Sequence, residues 1–156
     1  MSFDLKDLKM AYGELEKKYK LPSFKEMNED FEIDKIDKES DCTIRIVRKV
    51  MMEKIVNSLN FLEIFLNPVN APRIYYSYLK SMGSEDKTLI EEMYGKIGAL
   101  SLKSLSMELE YHEGKEAELV KESYQLWQNL KPNFAKIMKN IMNPQAVNNK
   151  EKSYFG

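Results

Sequence analysis

Apolar residues recur at steps of three and four along nearly the whole chain, and that spacing confines it to helices. The clearest run is Ile44, Val47, Met51, Ile55, Leu59, Leu62 and Leu66. A strand would alternate at every second residue, and a hairpin would place a turn such as Asn-Gly between alternating runs. Only six glycines and five prolines interrupt the 156 residues, so the elements between them are long. The spacing predicts an all-α fold, an irregular bundle of five to seven helices with no sheet. One helical domain is expected over residues 1–144, followed by a polar tail, 145–156, expected to be disordered.

The elements follow from stripes and stop signals. A first helix is expected from Phe3 to Lys20, capped by Ser2 and ended by Leu21-Pro22. Ser23-Phe24-Lys25-Glu26 is a capping box that opens a short second helix. Ile33 and Ile36 tack a charged connector to the core. The long helix runs from Asp41 to Leu66, where Asn67-Pro68 ends it. A fourth helix is expected from Ala71-Pro72 to Met82, and a fifth from Ser84 to His112, closed by Gly114 in a left-handed conformation. A sixth begins near Lys115, with Pro132 restarting or kinking it. Trp127, Leu62, Met51, Ile97 and Val120 are the predicted core.

The run Tyr19-Lys20-Leu21-Pro22-Ser23-Phe24, then Phe31-Glu32-Ile33, then the long helix ending Phe65-Leu66-Asn67-Pro68, resembles a group of uncharacterised archaeal helical proteins. The resemblance spans about the first 70 residues and implies no activity.

Most catalytic chemistry lacks its residues. His112 is the single histidine and Cys42 the single cysteine, so a diiron bundle and an internal disulfide are short of partners, and a catalytic Cys42 would have His112 alone as its base. Glu108, His112 and Glu116 have the spacing of a shared helical face, but Gly114 is expected to break it. No phosphate-binding glycine loop is present. Gly95-Lys96-Ile97-Gly98 falls inside a helical stripe, where Gly95, Gly98 and Ala99, with Ser101 and Ser104, read as a low-profile strip for helix packing. Glu29-Asp30, Glu85-Asp86 and Glu91-Glu92 are adjacent pairs that point apart on a helix and read as solvated. No catalytic residue, metal site or cofactor is expected. No apolar run reaches the length of a membrane span, and the one cysteine suits a cytoplasmic protein.

Charge does carry a signal. Net charge alternates in blocks: −4 over residues 1–42, +4 over 43–80, −5 over 81–130 and +4 over 131–156. Arg45, Arg48 and Lys49 fall on the polar side of the long helix, and Arg73, Tyr76 and Lys80 on one side of the next. Lys131, Lys136, Lys139, Lys150 and Lys152 are a milder third group. Arginine beside exposed tyrosine suits a phosphate backbone or an acidic partner. The alternative is that acidic helices from residues 85–122 neutralise these clusters. Two functions fit best: a non-catalytic interaction protein binding another protein as an adaptor or small regulatory subunit, or a factor binding RNA or the ribosome through a basic stripe; an enzyme binding its substrate between helices is the third alternative.

Overall fold

A computed structural model describes residues 3–143. Helix takes up 82% of it, with no strand among the described residues, so the all-α expectation holds. The helices are α1 (Leu5–Tyr19), α2 (Phe24–Phe31), α3 (Thr43–Leu66), α4 (Tyr76–Ser81), α5 (Ser84–Ser106) and α6 (Glu113–Met142). Contacts divide the chain into two compact units: residues up to Val56 with Ala99–Trp127, and Asn57–Gly98 with the chain from Gln128 onward. The tail expected over 145–156 lies outside the described residues.

Local chemistry sets most helix ends. Asp4, not Ser2, caps α1: its side chain accepts the Asp7 N–H while the Asp7 carboxylate accepts its own. Ser23 and Glu26 form the expected capping box on α2. Lys20 and Glu32 end α1 and α2 with φ of 56° and 52°, a conformation more often given to glycine.

The fourth helix is shorter than its stripe predicts. Pro68 and Pro72 lack N–H groups and hold their preceding residues out of the helical region. The segment becomes two 3-10 turns, Pro68–Asn70 and Arg73–Tyr75, before α4 begins.

Two further boundaries differ from expectation. α5 stops at Ser106 rather than His112. Gly114 does not close a helix; it lies in the first turn of α6, where a Cβ would stand 3.3 Å from the His112 ring. α6 then continues through Pro132 without restarting, as a helix of 30 residues. Of the small-residue strip, Gly95 and Gly98 have no atom beyond the helix's own backbone within 4 Å of a Cβ built at either, whereas Ser104 is buried against Arg48 of α3.

In the first unit, Leu8, Met27, Ile44, Met51, Val120 and Trp127 are buried. The Tyr12 hydroxyl donates to the Pro22 carbonyl at 2.6 Å and fixes the α1–α2 corner. In the second unit, Leu62, Ile90 and Ile97 are buried, and Phe65 packs edge-on against Tyr75 and Tyr78 with ring centroids 5.5 and 5.3 Å apart. All five predicted core residues are therefore buried, each within its unit. Leu62→Ala is expected to cost about 2–5 kcal/mol in a urea titration, because it empties a site with no solvent contact. A loss below about 1 kcal/mol would contradict that placement.

Candidate functional site: an arginine clasp and an open basic surface

Arg48 falls inside the apolar stripe of α3, four residues after Ile44 and three before Met51. Its side chain is therefore carried inward and is 2% exposed, not on the polar face that the sequence suggested. A buried guanidinium requires a partner, because an isolated charge away from water is very costly. Glu116, itself fully buried in the first turn of α6, provides it.

Every donor of Arg48 is engaged. Nε donates to Glu116 Oε2. Nη1 donates to the Ser104 hydroxyl at 2.7 Å and the Ser104 carbonyl at 3.3 Å. Nη2 donates to Glu108 Oε1 at 2.8 Å and Glu116 Oε1 at 3.3 Å.

Arg45, one turn earlier, adds a second guanidinium. Its Nε donates to Glu116 Oε1 at 3.1 Å and its Nη2 to the Met107 carbonyl, while the group lies 5.3 Å from the Tyr111 ring centroid. Lys49 approaches Glu108 Oε2 at 3.4 Å.

This clasp explains why α5 ends early. The final carbonyls of a helix have no partner within it. Ser104 and Met107 give theirs to arginines from α3, and the chain leaves through 3-10 bonds between Ser104 and Leu109. The cations thus meet the negative end of α5, and Glu116 stands at the positive end of α6. His112 joins the second end. Its Nδ1 accepts the Lys115 N–H at 3.2 Å, so it caps the start of α6 rather than closing α5.

The electrostatics follow the geometry. Burial pulls the Arg48 guanidinium down, but hydrogen bonds to Glu116 and Glu108 outweigh it and the net shift is upward. The Arg48 hydrogen bond holds the Glu108 carboxyl below its ordinary value. Lys18 and Tyr19 do the same for Glu113, which accepts from them at 2.8 and 2.6 Å. Burial pushes the Tyr111 phenol up to about 12, with the neighbouring Cys42 adding to it.

No family model matches the chain, and neither does any curated protein or solved structure.

Arg45, Arg48 and Lys49 are therefore paired with carboxylates from residues 85–122, which was the condition set against a basic stripe. Arg73, Tyr76 and Lys80 belong to the other unit and are exposed. Among the described residues neither Arg73 nor Lys80 has a carboxylate partner, and the sequence between Glu63 and Glu85 contains no acid. Val69 and Ile74, in the same segment, are 83% and 76% exposed. Lys131, Lys136 and Lys139 are exposed too, while Lys150 and Lys152 lie outside the described residues.

The sequence also concealed Asp86. It was read as solvated, yet it is buried and accepts from the Tyr78 hydroxyl at 3.2 Å and from Asn140 Nδ2 at 3.1 Å. Among the described residues no group of three His, Cys, Asp or Glu side chains is placed to hold a metal ion. Nor is any helix there long and apolar enough to cross a membrane.

Two outcomes are expected. Glu116→Ala removes the buried partner of Arg48, leaving it only the part-exposed Glu108, and should cost about 3 kcal/mol in chemical denaturation. The double change Arg48→Met, Glu116→Leu should be much milder or neutral, since it removes both buried charges.

The second outcome concerns acid. Glu108 and Glu113 have folded-state values below their unfolded ones, so they add stability above the unfolded value. That contribution is lost as pH falls through the folded value. Melting temperature should decline once pH drops below about 4.5, with a shallower decline in Glu108→Gln. An identical pH profile for that variant would remove Glu108 from the account.

Proposed function

We propose that the chain is a non-catalytic, cytoplasmic interaction protein, an adaptor or small regulatory subunit, that docks a protein through the surface around Arg73, Tyr76 and Lys80. One observation carries this reading: the single segment 69–80 exposes both aliphatic side chains and cations without carboxylate partners. Val69 and Ile74 offer apolar area to a partner, and Tyr76, 47% exposed, offers an aromatic anchor. Arg73 and Lys80 favour a segment that brings carboxylates. Tyrosine and arginine are also the residue types that most often dominate binding energy at protein interfaces.

RNA is the second reading, favoured by Tyr76 between two cations at helical spacing. It is weakened by the loss of Arg45, Arg48 and Lys49 to the clasp, which leaves too few free cations for a long phosphate stripe. Val69 and Ile74 also suit a protein surface better than a phosphate backbone.

The tagged protein should retain a defined partner when purified from its own host. The Arg73→Glu, Ile74→Asp variant should lose it at an unchanged melting temperature, because both side chains face solvent. Mixed cellular RNA should bind neither form at low salt. RNA binding that falls steeply with salt and disappears in the variant would move the assignment to the second reading.

A further inference from the structure

The start of α6 is held by the one side chain of a type that titrates near neutrality. The His112 carbonyl accepts the Glu116 N–H at 3.0 Å, which makes this residue the N-cap of α6. Its Nδ1 accepts the Lys115 N–H at 3.2 Å, as the oxygen of a serine or asparagine cap would. Those oxygens accept at any pH. An imidazole nitrogen accepts only in the neutral ring, because both nitrogens carry protons in the cation. The capping ring is therefore the tautomer with its proton on Nε2. Gly114 leaves room for it, since a Cβ there would stand 3.3 Å from the ring. The side chain is exposed, so a proton reaches it without unfolding.

We propose that His112 is a proton-operated latch on the first turn of α6. Neutral, it caps the turn. Protonated, it sets an N–H against the Lys115 N–H and a positive charge at the positive end of the helix, and the cap is lost. The turn it releases carries two tethers. Glu113 ties α6 to Lys18 and Tyr19 of α1, and Glu116 is the buried partner of Arg48.

The neighbouring groups give the cation no replacement partner. Lys18 and Tyr19 occupy the Glu113 carboxylate, and Arg45 and Arg48 occupy Glu116. Arg48 and Lys49 hold Glu108. Lys18 from α1 and Lys115 from α6 add positive charge. The Tyr19 and Tyr111 phenols, both pushed upward, stay neutral in this range. Glu110, exposed and two residues earlier, is screened by water. The cap is thus complete above the range in which an imidazole titrates, around pH 6.5, and is lost as pH falls through it. That window lies above the one in which Glu108 and Glu113 act.

Two variants separate a latch from a fixed cap. His112→Asn accepts the same N–H without titrating, and His112→Ala caps at no pH. Melting temperatures of the three full-length proteins are compared from about pH 8 to about pH 5.5. Relative to His112→Asn, the wild type should lose about 2–4 °C across that range, while His112→Ala keeps a constant deficit. The single histidine also gives an unambiguous nitrogen NMR signal, which should report the Nε2–H tautomer at the alkaline end. At the acidic end, the Arg48 Nε proton should exchange several-fold faster in the wild type than in His112→Asn, because the turn holding Glu116 has loosened. A wild type that tracks His112→Asn at every pH would overturn the inference. So would an Nδ1–H tautomer, or an Arg48 proton indifferent to the substitution.

Discussion

Arg48 stands between two helix ends of opposite polarity, and the first unit is organised around that position. The C-terminus of α5 presents carbonyls without partners, and the N-terminus of α6 favours an anion. A guanidinium from α3 meets the first, and Glu116 at the second end meets the guanidinium. Three segments distant in sequence are thereby fixed by one side chain. Lysine would not substitute, because it has three donors about a point and no planar fork. Such a pair adds little net stability over well-packed apolar residues. What it does is choose one arrangement, since any register that leaves either charge alone is costly.

The second unit relies on other means. Phe61, Phe65, Tyr75, Tyr78 and Phe134 form a chain of tilted and edge-on aromatic contacts. Pro68 and Pro72 turn the backbone so that Tyr75 and Tyr78 reach it. The same turns leave Val69, Arg73, Ile74 and Tyr76 outside. One segment thus supplies both Tyr75 and Tyr78 to the aromatic packing and Val69, Arg73, Ile74 and Tyr76 to the surface.

Much of this was legible from residue spacing. The stripe of α3, the capping box at Ser23 and the buried Leu62, Ile97 and Trp127 follow from local pattern alone. The clasp was not read, because Arg45, Arg48 and Lys49 look like one polar face. The signal was nonetheless present: Arg48 lies between Ile44 and Met52 at intervals of four, within the stripe. Glu116 sits likewise among Ala117, Leu119 and Val120. Two opposite charges inside apolar stripes are a reason to pair them. The end of α5 had no such signal. Its spacing runs on through Met107 and Tyr111, and what stops it comes from another helix. Asp86 was missed for the same reason, as its partners Tyr78 and Asn140 are 8 and 54 residues away.

The connector between α5 and α6 has a dynamic character that its exposure conceals. Glu108, Leu109 and Glu110 all face water, and a loop of that kind usually opens first and alone. Here the Met107 carbonyl and the Glu108 carboxylate are acceptors for arginines of α3. Peeling the connector away would strip those acceptors from guanidinium groups that cannot shed their charge. Its opening is therefore coupled to the separation of α3 from the ends of α5 and α6. A surface loop thus carries two of the acceptors on which the guanidinium groups of α3 depend.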